Sequence, residues 1–251
     1  MELLKTASQA LQRHAASVAL YIVSTVVMSV VYMAVLLVLR HQDAEFVTNP
    51  SAPQRIIHVA ALLAATAGWA LIQTVVFSRI GRELDRPLWK VANDREALRR
   101  FFPMWFEFNL VVNTLYWVGD TISTFDSIKD AAALPQLFAY CGIVVLVPFG
   151  AAVMFHGHFK WNALGEGLAP VGRRLPQLAI VFGLTVLQIV ISILSGFRPV
   201  PETIDAAFAQ AMFFKVIVFA ITAYLDCVVF AATWLVCKDD RDSPDEFDID
   251  F

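Results

Sequence analysis

Six apolar runs, each about long enough to cross a bilayer, constrain this chain more than anything else in it. A membrane's hydrocarbon core is about 30 Å thick, and a helix rises about 1.5 Å per residue, so a span takes roughly 20 apolar residues. Residues 17–39 carry no charge at all, and five further runs cover roughly 56–78, 104–124, 134–155, 175–194 and 211–236. Backbone polar groups in hydrocarbon have no water to bond, so each run must satisfy them internally as a helix. Only 16% of the 251 residues are charged, against about 25% in a soluble domain. Nearly every apolar residue sits in the runs, which leaves no room for a separate soluble domain. The expected fold class is all-α: a polytopic membrane protein of six transmembrane helices with short amphipathic surface helices. It occupies residues 1–238, followed by an acidic tail over 239–251.

The first run is too long for a signal-peptide core, and Leu39-Arg40-His41-Gln42-Asp43 follows it rather than a small-residue cleavage site. It reads as a retained span. Lysine and arginine placement then orients the chain. With the N-terminus inside, the inner segments hold Lys5, Arg13, the seven basic residues between Arg79 and Arg100, Lys160, Arg173, Arg174, Lys238 and Arg241. The outer loops hold only Arg40, Arg55, Lys129 and Arg198. That asymmetry predicts both termini in the cytoplasm, an even number of spans and residence in the inner (plasma) membrane. The net charge of −3 hides this excess, because seven acids crowd residues 239–250 against Arg241 alone. So charged a segment buries too little apolar surface to fold alone, and it reads as a disordered tail or a tail that binds a partner.

Basic lead-ins precede three of the runs: Leu11-Gln12-Arg13-His14, Leu98-Arg99-Arg100-Phe101 and Gly172-Arg173-Arg174-Leu175. Asn93 followed by Glu96 has the spacing of a capping box, which starts a helix at Asp94. Arg95, Arg99, Arg100, Arg173 and Arg174 are thus expected at the inner membrane surface, where arginine meets anionic lipid head groups. The layout, three units of a basic surface helix and two spans, resembles the six-span proteins of bacterial inner membranes. It is also similar to the membrane domain that accompanies some glycerophosphodiester phosphodiesterases. No phosphodiesterase catalytic segment is present, so the resemblance implies a fold and no activity.

Polar residues at membrane depth are costly and face a partner or a cavity. The third run holds Asn109, Asn113, Tyr116 and Asp120 within about 60° of one another at 100° per residue. The sixth holds Lys215, Thr222 and Asp226 on one face. The two stripes are expected to face each other, with Asp120 paired to Lys215 directly or through water. Such stripes either line a pathway or pocket for a polar solute, or hold helices together through hydrogen bonds of about 0.6–2 kcal/mol each. In the second run Ala61, Ala64, Ala65 and Gly68 allow another helix to approach closely.

The remaining residues exclude more than they indicate. Cys141, Cys227 and Cys237 form no CxxC pair and read as small buried hydrophobes. A haem held by two histidines needs both rings at one depth. His14 could meet His156 or His158, whereas His58 has no counterpart, so no cofactor is expected and haem is disfavoured. The tryptophans, among them Trp105, Trp117 and Trp234, are expected in an interfacial belt. No nucleophile–base spacing, HExxH or glycine-rich phosphate loop occurs, so neither an enzyme nor a nucleic-acid binder is expected. Three functions remain: a protein that moves or accommodates a polar or amphipathic solute, an accessory subunit of a larger membrane complex or a homo-oligomer, and a haem- or quinone-binding redox subunit.

Overall fold

The computed structural model describes residues 2–42, 52–84, 91, 93–123, 131, 133–156, 175–196 and 206–242. Among these it is built of α-helices: α1 Glu2–Arg13, α2 Ala15–Gln42, α3 Ala52–Leu84, α4 Asp94–Ser123, α5 Ala133–His156, α6 Leu175–Gly196 and α7 Ala206–Asp242. A helix covers each of the six apolar runs. Four of them contain stretches long and apolar enough to cross a membrane: Ala15–Val35, Arg55–Leu84, Leu134–His156 and Phe208–Asp239. The apolar part of α6 is shorter, Gln177–Ile191, and α4 carries the polar stripe along its length.

Helix boundaries follow local chemistry. α1 ends where His14 breaks the ladder, its N–H bonding the Leu11 carbonyl at 3.0 Å while its own carbonyl accepts from Ser17 and Val18. Ala7 and Leu11 turn one face of α1 into the protein, where it packs on α7. The Asn93 side chain caps α4, its Oδ1 accepting the Glu96 N–H at 2.9 Å, as the spacing predicts. The basic lead-in over 94–100 is therefore the first turns of α4, continuous with the apolar part, rather than a separate surface helix. The third lead-in, with Arg173 and Arg174, lies outside the described residues. α7 continues helical through Asp242, so the acidic segment begins as helix, and residues 243–251 lie outside the described set.

The core sits at one end of the bundle. Its largest fully buried side chains include Phe101, Met104 and Trp105 from the start of α4, Phe77 and Ile80 from the end of α3, Met154 from the end of α5, and Phe230 and Trp234 from the second half of α7. Phe77 is the hub. Its ring stacks on Phe230 at 4.4 Å and meets Tyr21 at 5.0 Å and Trp105 at 5.4 Å. Trp234 continues the cluster, 5.6 Å from Phe230 and 5.3 Å from Phe155. Gly150 makes room for Trp105: a Cβ there would collide with the indole ring. At the opposite end Ile56, Leu134, Leu194 and Phe213 are exposed, the arrangement expected where lipid is the solvent.

Several side chains lie elsewhere than the sequence implies. Trp105 and Trp234 belong to the core, not to an interfacial belt, because aromatic partners and a thioether (Trp105 Nε1 to Met154 Sδ, 3.4 Å) surround them. Trp117 remains exposed beside His58. Cys227 and Cys237 are buried, whereas Cys141 is exposed on the surface of α5. The small-residue stripe does admit a neighbour, since a Cβ at Gly68 would collide with Met28 of α2.

Candidate functional site: hydrogen bonds around Asp226

Among the described residues, Asn109 and Asn113 of the third run find their partners on α3, and Asp226 of the sixth finds its partners on α2 and α6. On α4, the Asn109 amide donates at 2.6 Å both to Gln73 Oε1 on α3 and to the Trp105 carbonyl. The Gln73 side chain also lies near the Tyr21 side chain on α2. The Tyr21 hydroxyl donates to Asp226 Oδ2 on α7 at 3.0 Å. From the other side, Gln188 on α6 donates to Asp226 Oδ1 at 2.8 Å and to the Thr222 carbonyl at 2.9 Å. Asp226 thus takes one donor from α2 and one from α6, while a separate bond joins α4 to α3 beside Tyr21.

These residues are held by packing. Tyr21 is 2% exposed, Gln73 6% and Gln188 5%, and the Tyr21 ring rests on Phe77, one turn along α3 from Gln73. Asp226 stands 18 residues into the apolar stretch Phe208–Asp239, about 27 Å along the helix at 1.5 Å per residue. Among the described residues the ion pairs are Arg79–Asp94, Arg82–Asp94 and Arg100–Glu96, and none includes Asp226. A half-buried carboxylate at membrane depth, with two neutral donors and no cation beside it among the described residues, is expensive to keep charged.

α7 also leaves this site approachable. Phe213, Ile217, Ile221 and Tyr224 form an exposed apolar face. Asp226 lies roughly 140–180° around the helix from that face at 100° per residue. Lys215, Phe219, Thr222 and Asp226 are nevertheless only half-buried, so the inward side of α7 is not sealed.

The other expected members divide. Asn113 bonds Thr66 Oγ1 on α3 at 3.0 Å, which pins α4 to α3 one turn from Asn109. Tyr116 pairs with the Tyr140 hydroxyl on α5 at 2.9 Å in an exposed position. Thr222 turns its hydroxyl back to the Val218 and Phe219 carbonyls of its own helix, so it serves the site through its backbone carbonyl. Lys215 lies three turns from Asp226, about 16 Å, and the Asp120 side chain lies outside the described residues. Tyr21, Gln73 and Gln188 were not singled out from sequence. The available signal was that Gln73 and Gln188 are amides well inside apolar runs, where hydrogen-bonding capacity must be met by protein.

A second polar cluster closes the α3–α4 end. Arg79 places Nε and Nη2 3.0 and 2.5 Å from Asp94 Oδ2, and Arg82 Nη2 is 2.6 Å from Asp94 Oδ1. The hydrogen bonds from Arg79 lead in holding the Asp94 carboxyl below its ordinary pKa, with Arg82 reinforcing and partial burial opposing.

No family model, curated protein or solved structure matches this chain. Its function is therefore argued from its own geometry. Among the described residues no group of three or more His, Cys, Asp and Glu side chains is placed to hold a metal ion.

Proposed function

We propose that this chain is a non-enzymatic inner-membrane protein that binds or moves a polar or amphipathic solute, with Asp226 as the anchoring carboxylate. The six helices of the bundle then serve as six spans with both termini in the cytoplasm, and the aromatic core closes the cytoplasmic end. The observation that carries this reading is that hydrogen bonds from α2 and α6 converge on one half-buried carboxylate at membrane depth that no cation neutralises among the described residues. A set of bonds serving only to hold helices together would work as well with a neutral acceptor, and cheaper. A carboxylate in this position is suited to a proton or to the cationic group of a solute.

The test is reconstitution of wild type and Asp226→Asn into liposomes, with amines, amino acids and quaternary ammonium compounds as solutes. Flux or solute-evoked proton movement in wild type, reduced tenfold or more in the folded Asn variant, supports the reading. Equal activity in both variants refutes it. A stoichiometric second protein recovered on purification, with no solute response, would favour the accessory-subunit reading instead. Orientation is checked separately: cysteines at the exposed Glu2 and Arg95 positions react with an impermeant thiol reagent only after the cytoplasmic side is opened.

A further inference from the structure

The arginines near the α3–α4 connection fall into two groups. Arg79 and Arg82 are bound to Asp94, and Arg100 lies 3.6 Å from Glu96. Arg95 and Arg99 are exposed and make no ion pair among the described residues. At 100° per residue, Arg95, Arg99, Phe102 and Phe106 fall within about 60° on α4. Phe102 and Phe106 are half-buried and stack at 5.9 Å with 24° between planes. One edge of α4 therefore carries two guanidinium groups and then, toward its apolar part, two aromatic rings. Arg95 to Phe106 is eleven residues, about 16 Å along the axis.

That order matches a phospholipid lying along the helix. Guanidinium groups bind phosphate bidentately and sit at the head-group level, while the rings offer apolar surface where acyl chains begin. The Asn93 side chain already caps the helix start, so the phosphate would be held by side chains. We propose that the Arg95–Arg99 edge of α4 binds the phosphate of an anionic phospholipid, with its acyl chains against Phe102 and Phe106. This site does not depend on the role given to Asp226.

The experiment uses the full chain in phosphatidylcholine nanodiscs doped with phosphatidylglycerol, with bound lipid counted by native mass spectrometry. Wild type retains phosphatidylglycerol in preference to phosphatidylcholine. Each arginine near an anionic surface contributes about 1 kcal/mol, so the R95Q/R99Q variant loses about 30-fold in phosphatidylglycerol affinity at low salt, while R95K/R99K keeps most of it. Unchanged phosphatidylglycerol retention in R95Q/R99Q overturns the proposal. So does displacement of the lipid by inorganic phosphate or glycerol phosphate at equal concentration, which would mark a free-anion site. Should the glutamine variant not fold, hydrogen exchange of wild type over residues 94–106 decides: stronger protection with phosphatidylglycerol than in pure phosphatidylcholine supports the site, and equal protection refutes it.

Discussion

Tyr21→Phe tests the Tyr21–Asp226 hydrogen bond with the smallest possible change. It deletes one oxygen and keeps the ring packed on Phe77. Asp226 Oδ2 loses its donor. A hydrogen bond to a charged group contributes about 1.5–3 kcal/mol in proteins. Inside membrane bundles measured interhelical bonds average nearer 0.6 kcal/mol, because the unfolded chain in lipid finds other partners. Weighing these, the expected loss is about 2 kcal/mol, or a fall of roughly 4–8 °C in Tm for a chain of this size. Reversible unfolding in mixed detergent micelles measures it. A double-mutant cycle with Asp226→Asn adds the decisive quantity, because the asparagine amide can accept one of the two donors while meeting the other with an N–H. The two changes should couple by about 1 kcal/mol. A Tyr21→Phe loss under about 0.5 kcal/mol with no coupling would refute the reasoning, since a bond present in the folded state must register in at least one of the two.

Three further outcomes follow from the same structure. Gly150→Val should destabilise by about 2 kcal/mol or more, because Trp105 occupies the space of its first carbon and is itself packed on Phe77; thermal melting of the purified protein reads it. Phe77→Ala should cost about 3–5 kcal/mol by opening a cavity among Tyr21, Trp105 and Phe230, and Phe77→Leu should recover much of that loss. The Asp94 carboxyl is held below its usual range, chiefly by Arg79. Its contribution is therefore complete above the ordinary carboxylate value of about 4 and disappears as pH falls through the lower folded value. Melting between pH 2 and 7 should show this acid-side loss in wild type and a flatter curve in Asp94→Asn, the effect remaining small because the side chain is about a third exposed.

What the sequence determined by itself is whatever depends on one helix at a time. Uncharged runs about 20 residues long dictate helices, because hydrocarbon leaves backbone groups no other partner. The Asn93–Glu96 spacing placed the start of α4, since a capping bond closes within four residues. Small residues at 61, 64, 65 and 68 foretold the close approach now seen between Gly68 and Met28. Periodicity also put Asn109 and Asn113 on one face, and both do turn to α3. What each face meets belongs to the tertiary structure alone. A stripe read on one helix specifies an angle about its own axis and carries no information about which neighbour stands there. Thus Asn109 of the third run meets Gln73, and Asp226 of the sixth meets Tyr21 and Gln188, rather than each other, and Trp105 and Trp234 lie in the core although their positions in sequence resemble an interfacial belt. Neighbour choice depends on how whole helices pack, a sum over many weak contacts that no single segment encodes.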